Sequence, residues 1–367
     1  TLFPYTTLFR SKLMPGHMLL YKNGNYEIKT YFKTKLTPGK WNRTTNMDQL
    51  RSQLAEILKD SVKHHMLSDV EVGAFLSGGV DSGYLASSSG ADQAFTVGFD
   101  EGDRYSEVNK AAKVAEKAGL KHHVKIISKQ EFWDALPDVM YHMDEPLGDA
   151  SAVALYFLSK EAAGHVKVVL SGEGADELFG GYNIYREPEA LKKVAWIPFV
   201  LRRAVRKLAA KLPDVKGRDF LIRAGMKVEE RFIGNAYIYC EKEKAQILKN
   251  KVTGPSTQEY LRPFFEELES ENRGLLQDME KMQSVDLRYW LPGDILQKAD
   301  KMSMAHSLEV RVPFLDKEVF DFAAKLPKEA KIAAGTTKYI FRKAVSEFLP
   351  QETNERKKLG FPIPIRV

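Results

Sequence analysis

The sequence predicts an α/β protein, with a short β-hairpin, a doubly wound parallel sheet and then a mostly helical region. Three observations predict this fold class. Apolar runs of strand length alternate with helical stretches up to about residue 190. Two of these runs lead directly into glycine-rich loops, which is where open parallel sheets hold their ligands. Beyond about residue 190 the apolar periodicity is mainly helical.

The first element in chain order is the hairpin. Apolar residues alternate loosely over residues 14–32 around Asn23-Gly24, a dipeptide typical of two-residue turns. A hairpin of this size is too small to be a domain. Residues 1–12 fit poorly with the pattern of the hairpin and do not begin with methionine. We expect them to be a non-native leader and exclude them from the fold.

The main domain is expected to begin near residue 45. Asn46, with Gln49 three residues later, makes a capping-box-like helix start. A later helix over residues 106–118 has Gly119 behind it. Repeated strand and helix alternation requires crossover connections, which place helices on both faces of a parallel sheet. The strand-length apolar runs cover residues 72–76, 94–99, 123–127 and 166–170.

Composition argues against several classes of protein. Of 367 residues, 44% are hydrophobic and 28% are charged, and no apolar run reaches the roughly 18 residues of a membrane span. Cys240 is the single cysteine, so it forms no internal disulfide, which favours a reducing cytoplasm. Residues 1–11 lack the features of a secretory signal. A cytoplasmic enzyme without a membrane partner is therefore the expectation.

The formal net charge of +6 leaves two interpretations open. Basic residues interleaved with apolar ones could bind nucleic acid. They could equally form the solvated face of an amphipathic helix, which the helical spacing of the apolar residues favours. The basic residues concerned are Arg202, Arg203, Arg206, Lys207 and Lys211.

The most informative loop follows the apolar run at residues 72–76 and reads SGGVDS over residues 77–82. Its glycines let backbone amides close on an anion, while Ser77 and Ser82 can donate hydroxyl hydrogen bonds to a phosphate. Asp81 would repel a phosphate unless a divalent cation lay between them, so it is predicted to bind Mg²⁺. The lysine of the common P-loop is missing. A glycine-rich turn without a ligand is the alternative interpretation.

A second loop, LSGEGADE over residues 170–177, also follows an apolar run. Asp176 could share the cation with Asp81, which would give one metal two carboxylates. Glu173 is then free for acid or base chemistry. Taken alone, this loop could be a solvated acidic turn, but its expected position opposite the first loop favours a site.

Three segments, at residues 75–82, 170–182 and 303–316, together resemble the synthetase domain of glutamine-hydrolysing asparagine synthetases. That domain belongs to the ATP pyrophosphatase (PP-loop) superfamily, whose sheet is of the adenine nucleotide α-hydrolase type. The resemblance covers roughly residues 13–367. It implies a ligase of asparagine biosynthesis that activates aspartate as aspartyl-AMP. Ammonia then converts this intermediate to asparagine, with AMP and pyrophosphate as the other products.

The resemblance also implies roles for individual residues. ATP and Mg²⁺ would be the cofactors, with Asp81 and Asp176 as the metal ligands. Glu173 would act around the aspartyl-AMP intermediate, and Lys338 would neutralise charge at the α-phosphate. Without the resemblance, Lys338 is typical of an exposed helix lysine. The implied nucleotide-binding residues are Phe75, Leu76, Ser77, Gly78, Gly79, Asp81, Ser82, Val97, Ser171 and Gly172.

Other conspicuous residues are interpreted as structural. His306 and Arg311 lie in the motif at residues 303–316, which could pack beside the site as scaffold. The histidine pairs at residues 64–65 and 122–123 are adjacent in sequence. Adjacent residues do not share one helix face, as two metal ligands on a helix would.

Two departures from the family pattern affect function. Family members carry an amino-terminal glutaminase with a catalytic cysteine; here residues 13–42 are expected to be its remnant, and residues 45–367 a synthetase domain truncated at its carboxyl end. The chain is then expected to use free ammonia instead of glutamine. Residues 144–151 lack the threonine-rich, arginine-containing substrate segment of some members. The alternatives are an amidotransferase acting on another carboxylate, or another ATP pyrophosphatase.

The expected partners are therefore small molecules: ATP, aspartate, and ammonia, either free or derived from glutamine. We expect neither nucleic acid nor a membrane as a partner. The sequence does not determine the oligomeric state, and a homodimer is compatible with it.

Overall fold

The computed structural model describes residues 12–39, 46–100, 107–145, 147–235, 239, 241–249 and 255–356. Residues 1–11 of the expected leader and Cys240 lie outside these ranges. The described residues form two compact units. The sheet unit contains those of Thr37–Asn183 and Gly293–Val367, and the helical unit contains those of Thr1–Leu36 and Ile184–Pro292.

Five parallel strands make up the sheet, which confirms the predicted fold class. They are β3 Val72–Phe75, β4 Gln93–Phe99, β5 Lys121–Ile127, β6 Val168–Leu170 and β7 Glu309–Arg311. Their order across the sheet is β5-β4-β3-β6-β7. The first four match the predicted apolar runs. Strand β7 was not predicted, because three residues within a longer motif are too few to show a strand period.

Twelve α-helices belong to the described part of the sheet unit. Asn46 caps the first, since its side chain accepts hydrogen bonds from the amides of Asp48 and Gln49 at 3.0 and 3.1 Å. Gly119 ends the third in the predicted left-handed conformation, with φ +68°. The helices are α1 Met47–His65, α2 Val80–Ser88, α3 Val108–Ala118, α4 Lys129–Asp134, α5 Leu136–Met143, α6 Ser151–Ala163, α7 Ala175–Phe179, α15 Leu296–Met304, α16 Lys317–Ala323, α17 Lys328–Lys331, α18 Tyr339–Val345 and α19 Gln351–Glu355.

The helical unit combines the hairpin with the described part of the helical region. Strands β1 His17–Lys22 and β2 Asn25–Thr30 pair antiparallel, and both turn residues between them have positive φ. A π-helical segment spans Asp286–Ile295 and contains Pro292, whose ring cannot donate the backbone hydrogen bond of a regular helix. The helices are α8 Glu187–Leu191, α9 Phe199–Ala209, α10 Arg218–Ala224, α11 Val228–Arg231, α12 Glu241–Ile247, α13 Thr257–Asn272 and α14 Asp278–Val285.

The basic helix predicted from residues 202–211 is α9. Arg202 donates to the carbonyl oxygens of Ile197 and Ala224 at 3.0 and 3.1 Å, and Arg203 pairs with Glu230 at 2.9 Å. These contacts lie within the helical unit and favour the structural interpretation of the helix. Within the described ranges, no helix combines the length and apolar character that a bilayer crossing requires.

Candidate active site

The sheet reverses its order between β3 and β6. From β3 the chain moves outward through β4 to β5, and it then returns to place β6 on the other side of β3. A reversal of this kind opens a crevice at the carboxyl edge of the sheet, where α/β proteins bind ligands. Both predicted loops follow strands that border this crevice.

The first loop joins β3 to α2 in a compact turn. The amide of Ser77 donates to the Ser82 hydroxyl oxygen at 3.0 Å, and the two hydroxyl oxygens also lie 3.0 Å apart. Gly78 has φ +68°, and a β-carbon there would lie 2.8 Å from the Lys110 β-carbon. Glycine is therefore required for this turn. Gly79 precedes α2 without a side-chain cap, so the first amides of the helix face the loop.

The second loop follows β6 and lies against the first. A β-carbon on Gly172 would be 3.1 Å from the Asp81 β-carbon and 3.2 Å from the Ser82 amide nitrogen. The Ser171 hydroxyl donates to the Glu173 carboxylate. The sequence-based expectation that the two loops lie opposite each other is met at this point of contact.

Asp81 and Asp176 meet at a single ammonium group. The Nζ atom of Lys338 lies 2.6 Å from Oδ1 of Asp81 and 2.7 Å from Oδ1 of Asp176. All three side chains are buried, and Lys338 is only 2% exposed. The pattern-based interpretation of Lys338 as an exposed helix lysine is therefore wrong, because the residue precedes α18 in a left-handed conformation with φ +55° and turns inward.

Aromatic packing holds these three charged residues together. Each is followed three positions later by an aromatic residue: Tyr84 in α2, Phe179 in α7 and Phe341 in α18. The Phe341 ring stacks on Phe179 with centroids 5.2 Å apart and meets Tyr84 edge to face at 6.2 Å. This aromatic contact packs α2, α7 and α18 against one another.

Both carboxylates occupy equivalent places in their helices. Asp81 and Asp176 are the second residues of α2 and α7, and each helix follows a glycine cap. A helix amino terminus carries partial positive charge and stabilises negative groups in the first turn. The fold therefore supplies two buried carboxylates at adjacent helix starts, with one lysine between them.

Gly181 makes the close approach of these groups possible. A β-carbon at this position would lie 1.8 Å from Oδ1 of Asp176 and 2.2 Å from Cε of Lys338. No residue other than glycine fits there without displacing one of the charged groups. The sequence shows Gly180-Gly181 after the second loop, but nothing in the pattern indicates which side chains they face.

Arg342 is a further charged residue at the site, and the sequence pattern gave it no role. It lies one helical turn after Lys338 and is 7% exposed. Its Nε donates to the Thr337 carbonyl oxygen at 2.9 Å, and its guanidinium also bonds the carbonyl oxygen of Asn354. Burial lowers the pKa of Arg342, and the nearby charges of Asp81 and Asp176 oppose that shift. The i, i+4 spacing from Lys338 is the signal that could have identified it.

The remaining predicted nucleotide contacts are mostly core residues. Phe75 and Val97 are 5% and 4% exposed and belong to the hydrophobic clusters beside the sheet. Leu76 is also buried; its amide donates to the Phe95 carbonyl oxygen at 2.8 Å, and its own carbonyl oxygen accepts from the Thr96 hydroxyl. Any contact these residues make with a ligand would use backbone atoms at the ends of the strands. The scaffold residue Arg311 donates to the carbonyl oxygens of His65 and Leu67, each at 2.8 Å.

Comparison with known proteins gives consistent matches over most of the chain. A family model described as asparagine synthase matches residues 53–367. Asparagine synthetase (glutamine-hydrolyzing) 1 of Bacillus subtilis is 45% identical over 361 residues, which are 97% of this chain and 56% of that protein. A provisionally named asparagine synthetase (glutamine-hydrolyzing) of Mycobacterium tuberculosis is 44% identical over 329 residues, covering 88% of this chain and 50% of its own length.

A more distant relative carries a different name. Amidase chry2 of Gibberella zeae is 24% identical over 399 residues, covering 98% of this chain and 59% of that protein. The chain spans about half the length of the curated relatives it matches.

Proposed function

The chain belongs to the asparagine synthase family, and we propose that it is an ATP-dependent ligase that converts aspartate to asparagine. The carboxylate at the end of the aspartate side chain attacks the α-phosphorus of ATP, and the bond between the α and β phosphates breaks. Aspartyl-AMP and pyrophosphate result. Ammonia then attacks the acyl carbon, and AMP leaves with the electron pair of the broken acyl–oxygen bond.

The meeting of Asp81, Asp176 and Lys338 is the observation that carries this proposal. A buried lysine 2.6 and 2.7 Å from two carboxylates gives a polar cluster at the crevice where α/β sheets bind nucleotides. Lys338 is proposed to stabilise negative charge that develops on the α-phosphate. The hydroxyl groups of Ser77 and Ser82, with the first amides of α2, can hold the departing pyrophosphate.

The carboxylate pair also fits the predicted magnesium ion. Mg²⁺ prefers oxygen ligands and usually binds one or two protein carboxylates together with substrate phosphates, and Asp81 and Asp176 supply that donor set. When bound, the ion would supply positive charge that screens the triphosphate from the two carboxylates. The two carboxylates already direct oxygen atoms to one point, since both contact Nζ of Lys338 at 2.6 and 2.7 Å.

Glu173 is proposed to act at the acyl centre. Its carboxylate accepts a hydrogen bond from the Ser171 hydroxyl, so it is held at the end of β6 beside the nucleotide loop. A carboxylate so placed can accept a proton from the attacking ammonia as the amide forms. Phe75, Leu76, Val97 and Gly172 are proposed to line the AMP portion through backbone atoms.

Another carboxylate as acceptor is a second candidate. Amidase chry2 shares 24% identity over nearly the whole chain. Residues 144–151 lack the threonine-rich, arginine-containing substrate segment seen in some members of the family. In this case the site would form the same adenylate on a different acid.

Isotope exchange between pyrophosphate and ATP tests the proposal, because exchange requires adenylate formation but not ammonia. Wild-type protein should catalyse exchange that depends on Mg²⁺ and aspartate. Asp81→Asn should lose about 10²–10³-fold of that rate, as expected when a group that stabilises transition-state charge is removed. Asp316→Asn, which changes an exposed cap in α16, is the matched control and should keep the wild-type rate.

The result separates the candidates. Exchange that depends on another carboxylate, but not on aspartate, supports the second candidate. Wild-type exchange by Asp81→Asn would contradict the role proposed for the charged cluster.

A further inference from the structure

A cluster of candidate metal ligands lies between β5 and the end of α6. His123 is the third residue of β5, Glu161 lies in the last turn of α6, and His165 lies two residues beyond that helix. One ligand atom from each of the three lies within 4.8 Å of the others. We propose that this trio binds a transition-metal cation, with Zn²⁺ as the expected ion.

The cluster is separate from the nucleotide crevice. In the sheet register, His123 lies beside Phe95, the third of the seven residues of β4. At about 3.3 Å per residue, that position lies about 13 Å from the carboxyl end of the strand. None of the three ligands belongs to the loops that carry Asp81 and Asp176, and the proposed cation would join the end of α6 to β5.

A chain of hydrogen bonds orients the His123 ring. The amide nitrogen of Gln93 donates to the Glu71 carboxylate at 2.7 Å, which turns the amide oxygen of Gln93 towards His123. That oxygen lies 2.8 Å from Nε2 of His123. A carbonyl oxygen can only accept, so Nε2 must carry the proton, and the lone pair stays on Nδ1. Metal-binding histidines are typically oriented by a hydrogen-bond acceptor of this kind.

The charged groups around His123 act in opposite directions. Burial lowers the pKa of His123, and the neighbouring His165 and Lys121 lower it further, while Glu161 acts in the opposite direction. Glu161 lies 3.5 Å from Nε2 of His165 and supplies the negative charge.

Two imidazoles and one carboxylate form a donor set that Zn²⁺ uses, with a water in the fourth position. Ligand bonds of about 2.0–2.2 Å require ligand atoms about 3.4 Å apart in a tetrahedral site. The distances between the ligand atoms, which are at most 4.8 Å, must then shorten by up to about 1.4 Å when the ion binds. Glu161 and His165 are each about one-third exposed and can rotate to achieve this contraction.

Calorimetric titration of the full chain with ZnCl₂ tests the proposal. The protein should carry no histidine tag, and excess Mg²⁺ should be present to occupy the nucleotide site. Wild-type protein should bind one Zn²⁺ at its tightest site. His165→Ala and Glu161→Gln should each weaken that binding at least tenfold, and Gln93→Leu should weaken it by about 10–100-fold, because it removes the orienting acceptor.

His64→Ala is the matched control. His64 pairs with Asp60 at the same i, i+4 spacing and the same 3.5 Å distance, but the described residues provide no third ligand beside it. This variant should bind Zn²⁺ like the wild type. The proposal is overturned if wild-type protein shows no such binding, or if the His165 and Glu161 variants retain wild-type affinity. Glu161→Gln changes a partly exposed side chain, so it separates loss of the site from loss of folding.

Discussion

Asp81 and Asp176 in the sheet unit, and Asp286 in the helical unit, are all at least nine-tenths buried. They differ in the groups that contact their carboxylates. The first two lie against a lysine ammonium at 2.6 and 2.7 Å. Asp286 instead accepts from neutral donors: the Tyr185 hydroxyl at 2.5 Å, and the backbone and side-chain amides of Asn235 at 3.1 and 2.7 Å.

The two regions also differ in backbone. Lys338 adopts a left-handed conformation that costs a non-glycine residue on the order of 1–3 kcal/mol. Gly181 leaves the space that Asp176 and Lys338 fill. Neither feature occurs at the described partners of Asp286. Burial and hydrogen bonding of a carboxylate therefore do not by themselves identify a catalytic site. A buried lysine with a strained backbone, next to a glycine that no other residue can replace, is a better indicator of such a site.

Lys338→Met should have the largest effect, because it leaves two buried carboxylates without their shared cation. Removal of one partner from a buried ion pair typically costs about 3–5 kcal/mol of unfolding free energy. Urea unfolding at pH 7 measures this loss. Lys317→Met, which removes an exposed i, i+4 pair with Asp321, should cost less than about 1 kcal/mol. Equal stability of the two variants would show that the charged cluster is not a structural ion pair.

Asp286 should make the protein less stable as the pH rises. Burial raises its pKa to about 7, above the ordinary value of 3.8. The folded protein then keeps a proton that the unfolded chain releases. The contribution of Asp286 to stability is therefore complete below about pH 4 and is lost as the pH rises through about 7, by up to about 4 kcal/mol.

Asp286→Asn isolates this contribution, because asparagine does not titrate. The difference in unfolding free energy between wild type and variant should shift against the wild type from pH 4 to pH 7. Comparing the variant with the wild type cancels most of the contribution that other titrating carboxylates make to stability. Parallel pH profiles for the two proteins would contradict the raised pKa.

Gly181→Ala should disturb the same charged cluster by a single methyl group, and its effect is read in activity. The added β-carbon would displace Asp176 or Lys338 from their contact. A misplacement of about 1 Å at a reacting centre can reduce the rate by about 10²-fold. Pyrophosphate exchange measures the loss. Gly293→Ala is the control, since a β-carbon there meets nothing within 4 Å, and it should retain exchange activity.

Much of the sheet could be predicted from the sequence, because its central strands are continuous apolar runs that end in glycine-rich loops. Asn23-Gly24 and Gly119 also adopt the positive φ values that their residue types indicate. Strand β7 escaped prediction because it has three residues and only Val310 is strongly apolar. A period cannot be recognised over so short a stretch.

The site was harder to predict where it depends on contacts distant in sequence. The chemistry of the loop at residues 77–82 could be predicted, because its glycines, serines and aspartate are close together in the sequence. Lys338 does not, because only the fold brings it to Asp81, which lies 257 positions away in the sequence. The cluster around His123 was missed for the same reason. The adjacent histidines at residues 122–123 were interpreted as structural, and the sequence gave no sign that Glu161 and His165, from another part of the chain, lie beside His123.

Crystallography with Mn²⁺ in place of Mg²⁺ and a non-hydrolysable ATP analogue would test the central claim most directly, because Mn²⁺ can be located by its anomalous scattering. The account predicts a peak about 2.0–2.3 Å from carboxylate oxygens of both Asp81 and Asp176, with the terminal phosphates in the loop at residues 77–82. Nucleotide bound elsewhere, or a peak that neither aspartate coordinates, would contradict it.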